Sequence, residues 1–290
     1  MRSHLPGLVV AVLGGWFAVS PASGQAGSGA PAVPPRDPLP PIRIVTAEDV
    51  EPAQPSPDAT TPPPLDDFLV IPLRAHILSA TDLPSVRCAL TDADIRRVVG
   101  KVNAIWHKAG IHWALDPIVH EPAANQDRFQ AERAAGTGDS LELCKILAPD
   151  ASRSEDGIDV YYIHAFAANG VYLGDRIAFV QETAQLRPVP GGSDEPLPRV
   201  TAHELGHALG LPHRQARTNL LASGTTGTIL NQAEVDRVRR RAGGMIGTAT
   251  VPDLRRRLDD AKARDDPSAT ARLQAILAAI ATNEPPAPPR

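Results

Sequence analysis

The chain has 290 residues, 42% of them hydrophobic and 21% charged, which is enough apolar material for one domain with extensions. Only 4% are aromatic, so the core has to be built from Ala, Val, Leu and Ile. A net charge of -4 gives no electrostatic case for nucleic acid. The arginines at 237–241 and 255–257 have acids beside them, Asp236 before the first group and Asp259 and Asp260 after the second, as on a solvated helix face.

At the N-terminus, Arg2 precedes the uncharged apolar run Leu8 to Val19, and small residues follow from Ser20 to Ala26. The run is shorter than the ~20 residues a spanning helix needs. Residues 1–26 therefore read as a signal peptide. That predicts a secreted or periplasmic protein with no stable membrane insertion after cleavage. No Cys lies at the cut, so a lipoprotein is not expected. Residues 27–66 are dense in Pro and cannot bury enough apolar area to offset the entropy of ordering them. They form a linker or a pro-segment.

Folded structure is expected from Phe68, with a domain at 67–245 and a helical extension with a Pro-rich tail at 246–290. Phe68 to Ala80 reads as a strand with Leu69, Ile71, Leu73, Ala75 and Ile77 on one face. Pro72 suggests an edge or an irregularity. Thr91 or Asp92 can cap a helix with its apolar stripe at Ile95, Val98, Val99, Val102, Ile105, Trp106 and Ala109, ended by Gly110. A strand at Ile111 to Glu121 is interrupted near Pro117. Residues 125–148 look helical in two pieces, broken around Gly136-Thr137-Gly138. Ile158 to Phe166 reads as a buried strand, and Val171 to Gln181 as a further strand with a bulge at Gly174-Asp175. A Pro/Gly-rich loop at Leu186 to Pro198 precedes the helix that carries the chemistry. Ile229 to Ala242, with Asn231 as its cap, reads as another helix, and Val251–Asp266 with Ser268–Asn283 as a closing helical pair.

Two cysteines, Cys88 and Cys144, are present. Export would place them where disulfides persist, so a Cys88–Cys144 bridge is expected. Without CxxC spacing, a cysteine-based zinc site is not.

The informative string is HELGHALGLPH, residues 203–213. Four helical residues advance ~6 Å and turn little more than once. His203 and His207 therefore leave one face of a helix and can share an ion. Glu204 points beside that ion, where it can meet a bound water. Gly210 lets the chain leave the helix, with positive φ expected, and Leu211-Pro212 carry it round to His213 as third ligand. Three imidazoles with one open position is the arrangement of a catalytic zinc site, not a closed structural one. The remaining histidines lack ligand spacing. A calcium ion has only Asp159 and Asp175 to recommend it, and no spacing supports one.

HExxHxxGxxH is the extended zinc signature of the metzincin metallopeptidases, and residues 67–242 resemble the matrixin-like and pappalysin-like bacterial members. The resemblance implies an α+β fold. Its parts are a twisted mixed sheet of about five strands, an active-site helix, and a smaller, mostly irregular C-terminal subdomain ending in a helix. It also implies one catalytic Zn2+ on His203, His207 and His213, with Glu204 as general base. Those relatives place a Met in a turn beneath the zinc; here Leu221, within Thr218 to Gly224, stands at that position, with Met245, beyond the last helix of the domain, as the alternative. Leu has similar volume and polarity, so the floor can still form.

These residues predict an exported zinc endopeptidase acting on protein or peptide substrates. Water attacks the carbonyl while Glu204 moves the proton, and the resemblance implies that the strand at 171–181 holds an extended peptide. The alternatives are a zinc hydrolase of a non-protein amide and a non-catalytic metzincin-like binding module. Glu204 speaks against the module, because a structural site has no need of that carboxylate.

Overall fold

A computed structural model of the chain describes Asp58, residues 61–136 and residues 141–282. The signal peptide expected at 1–26, most of the 27–66 segment, Thr137-Gly138 and the Pro-rich tail lie outside the described residues.

The sheet is built from β1 (Leu69–Ser79), β2 (Ile111–Pro122), β3 (Ile158–Ile163), β4 (Gly170–Tyr172) and β5 (Ile177–Gln181), in the order β2-β1-β3-β5-β4. The first four in that order are parallel, and β4 runs antiparallel to β5 at the edge. Parallel neighbours need a crossover, and α1 (Asp92–Trp106) supplies it between β1 and β2. Thr91 starts α1 with a capping box to Asp94, and Gly110, at φ 63°, follows the short 3₁₀ turn that closes it.

Along β3, Ile158, Val160 and Tyr162 enter one core, and Tyr161 and Ile163 a second one on the opposite face. The first core holds the stripe of α1 and the buried faces of α3 (Pro196–Ala208) and α4 (Gln232–Gly243). The second holds Phe129 of α2 (Gln126–Ala135) and Leu143, Cys144 and Leu147 of a 3₁₀ turn. Between α3 and α4 the chain is irregular, held by isolated bridges such as Arg214–Ala222 and Asn219–Ile229. The fold is α+β with a mixed sheet, as expected.

After α4, the two-residue β6 (Ala249–Thr250) pairs with the start of β1, and α5 (Val251–Ala263) and α6 (Pro267–Thr282) close the chain. Leu254 and Ile280 of this pair cover Phe68, Val70 and Ala114. The pair thus hides the apolar foot of β1 and β2. Among the described residues, no helix is long and apolar enough to cross a membrane.

Four expectations are corrected. β1 is interior, with β2 on one side and β3 and β6 on the other, so the edge reading of Pro72 fails, while the irregularity offered beside it is present as a register shift between Leu73 and Ala75. Pro72 is tolerated because it falls between the residues that pair with β6 (Leu69, Val70) and those that pair with β3 (Leu73–Ile77), so that side asks no amide of it. The stretch 171–181 is two strands: positive φ at Gly174, Asp175 and Arg176 turns the chain, leaving β4 as the edge and β5 inside. The second helical piece of 125–148 is 3₁₀. Finally, Cys88 and Cys144 are not bridged. Cys88 packs against the first core and Cys144 lies in the second, so the sheet stands between them. The Cys88 thiol lies 3.3 Å from the Glu182 carboxylate as a donor.

Candidate metal centre

Helix α3 starts with Pro196 in its first turn, where a missing amide costs nothing. It is buried along almost all its length, because it lies on the sheet and under β4. His203 and His207 emerge one turn apart. The helix ends at Ala208, and Gly210 takes φ 82°, the left-handed conformation expected there. The chain then turns so that His213 faces back toward the helix.

The Nε2 atoms of His207 and His203 are 3.1 Å apart, and those of His207 and His213 are 3.2 Å apart. His207 stands edge-on to both other rings, at 89° and 88°. The tautomers follow from the second nitrogen of each ring. His203 Nδ1 donates to the Leu220 carbonyl and His207 Nδ1 to the Leu211 carbonyl, each at 2.8 Å. A carbonyl can only accept, so both protons sit on Nδ1 and the neutral rings aim Nε2 lone pairs at each other. Two such lone pairs at 3.1 Å repel unless a cation stands between them. Nitrogens at ~2.0–2.1 Å from one tetrahedral zinc lie about 3.3 Å apart, close to the spacing found. The donor set therefore fits zinc, and it is the one three-ligand cluster of this kind among the described residues.

Electrostatics keep these rings ready to bind. Burial is the main cause that lowers His203 well below the ordinary imidazole value, His207 to about 4, and His213 in the same direction. Neutral imidazole is the ligating form. Exposure rises from His203 (buried) through His207 to His213 (exposed), so the open side of the cluster is at His213.

Glu204 is buried beside the cluster. Burial pushes its carboxyl up to about 8, opposed by the Arg199 charge and by a hydrogen bond from the Tyr172 amide of β4. The edge strand lies directly on this side chain. A β-carbon on Gly170 would stand 2.7 Å from Glu204 Oε1 and 2.6 Å from a Val200 methyl, so only glycine fits.

Leu221 is fully buried in the loop beneath α3. Its methyl carbons lie 3.3 and 3.4 Å from where a β-carbon on Gly206 would be. Gly206 thus lets the helix settle on the leucine. Around it, Asn219 Oδ1 accepts from the Leu221 amide at 2.7 Å, and the Arg214 amide donates to the Leu221 carbonyl at 3.0 Å.

The chain is similar to archaemetzincin from Methanopyrus kandleri. That crystal structure shares 18% sequence identity and a TM-score of 0.33, over 62% of this chain and 94% of the other. No family model and no curated protein matches the chain.

The three predicted ligands come together, while the cysteines do not. Asp159 and Asp175 are occupied elsewhere: Asp159 bonds His76 at 3.0 Å and the Ser154 amide, and Asp175 pairs with Lys145 at 2.5 Å. Sequence reasoning missed Arg199, Gly170 and Glu234. Glu234 is 1% exposed and serves three donors, Arg214 Nε at 2.7 Å and Asn219 Nδ2 and the Asn231 amide at 2.9 Å each. It thereby ties α4 to the residue that follows His213. Arg199 carried a visible signal, a lone charge on an otherwise apolar buried helix segment.

Proposed function

We propose that this chain is an exported zinc-dependent endopeptidase of metzincin type. The observation that carries the reading is the convergence of three Nε2 atoms, with the buried Glu204 carboxyl beside them. Its support lies in this geometry and in the HExxHxxGxxH signature, and it extends to the metzincin signature but not to a matrixin-like or pappalysin-like branch.

His203, His207 and His213 would hold the ion, and when bound it supplies a Lewis acid that polarises a carbonyl and makes water nucleophilic near neutral pH. The protein's own part is proton movement and positioning. Glu204 takes a proton from the attacking water and passes it to the departing amine. The Tyr172 amide holds that carboxylate in place. The outer edge of β4 offers main-chain groups to an extended peptide, and a short strand of three residues would grip only the residues nearest the scissile bond. Export rests on the 1–26 segment and its apolar run.

The test is metal analysis of the mature protein, paired with hydrolysis of an unfolded protein substrate with and without a chelator. One zinc per chain and chelator-sensitive cleavage are expected. A metal-free mature protein, or cleavage indifferent to chelator, rejects the reading.

A further inference from the structure

Arg199 is 2% exposed and sits one helical turn before His203 on α3. No carboxylate among the described residues pairs with it; Glu204 acts on it only through space. Its fork is filled by main-chain carbonyls of one irregular loop instead. Nε donates to Gly227 at 3.1 Å, and Nη2 to Ala222 and, at 3.5 Å, to Asn219. Nη1 lies 3.3 Å from His203 Nδ1, whose proton is already given to the Leu220 carbonyl, so that contact is proximity and not a bond.

Burying a cation without a counterion is costly, and apolar side chains of similar volume commonly replace buried charges without loss. Packing therefore does not explain this arginine. Geometry does, because the carbonyls it gathers at 219, 222 and 227 bracket Leu220 and Leu221. The first supplies the carbonyl that orients His203, and the second forms the floor under Gly206. The bidentate reach of a guanidinium suits such a task, and a lysine cannot reproduce it.

We infer that Arg199 is a positioning residue: it sets the 219–227 loop, and with it the Leu220 carbonyl, so that His203 presents Nε2 to the ion. The inference rests on the zinc reading above and adds a residue to it.

The experiment compares wild type, R199M and R199K by chelator competition for zinc, by amide hydrogen exchange of residues 219–227, and by circular dichroism and thermal unfolding of the metal-free proteins. R199M should bind zinc about 10–100-fold more weakly, the usual cost of losing a partner behind a ligand. It should also exchange the loop amides faster while keeping the secondary structure of wild type. R199K, which keeps the charge but not the fork, should recover only part of the affinity. Zinc affinity in R199M within about threefold of wild type overturns the inference. So does an affinity loss that only follows loss of fold, or a failure of both variants to fold, since either makes Arg199 purely structural. If wild type takes up no zinc at all, the metal reading fails first, and that result is distinct from a loss confined to the variants.

Discussion

Gly170 of the edge strand and Glu204 of the metal helix stand so close that a β-carbon on the glycine would lie 2.7 Å from the carboxylate. Backbone conformation does not demand the glycine, because its φ is not among the positive ones; space does. Gly170→Val should lift β4 off α3, costing about 1–3 kcal/mol of stability, as overpacking does. It should also lower hydrolysis at least about tenfold, by removing the Tyr172 amide from Glu204. The zinc content should be unchanged, since no ligand is touched. Activity and Tm at the wild-type level in a zinc-loaded variant would show that the strand yields freely.

Glu204→Gln keeps shape and burial but cannot carry the proton. Zinc content should match wild type while turnover falls by about 10²–10⁴-fold. Inductively coupled plasma analysis beside a peptide assay reads both. Equal turnover in wild type and variant would remove Glu204 from the chemistry.

His112 on β2 is buried, and burial, with a smaller contribution from His107, lowers it from 6.5 to about 4. Below pH 6.5 the unfolded chain takes up a proton that the folded chain refuses until about pH 4. The stability is thus fully present above pH 6.5 and lost as pH falls through that window, by about 2–3 kcal/mol. His112→Phe should lack this slope. Urea unfolding of both proteins at pH 7 and pH 4.5 measures the difference, in which the contributions of the ligand histidines cancel. Parallel losses in the two proteins would count against it.

The cysteines occupy opposite faces of the sheet. Unfolded protein should therefore titrate two thiols without prior reduction, with no mass change on adding reductant. In the native state Cys88 should alkylate slowly at pH 8, because burial foremost, with Glu182 adding to it, pushes its thiol up to about 12 and little thiolate forms. A two-dalton mass shift on reduction would restore the bridge.

Much of the fold and site was legible in the chain because it is written in short-range periodicity. The α1 stripe, the Thr91 and Asn231 caps and the positive φ of Gly210 follow from spacing and local backbone chemistry. The pairing of His203 with His207 follows from helical pitch alone. What failed was non-local. Whether Pro72 lay at an edge depended on which residues of β1 pair with β6 and β3, strands far away in the chain. Whether 171–181 was one strand or two depended on the antiparallel return of β4 onto β5. The cysteine spacing carried no record of the sheet between Cys88 and Cys144.

The sequence by itself determined the ligand chemistry, since two imidazoles one helical turn apart and a third past a glycine exit need only local geometry to converge. Only the tertiary structure decided what holds those imidazoles in their tautomers. The Leu220 carbonyl behind His203 and the Gly227 carbonyl that takes the Arg199 fork come from a loop 17 and 28 residues further along the chain, and the Glu234 hub comes from α4. Contacts at that separation arise from packing, and no pattern along the chain encodes them.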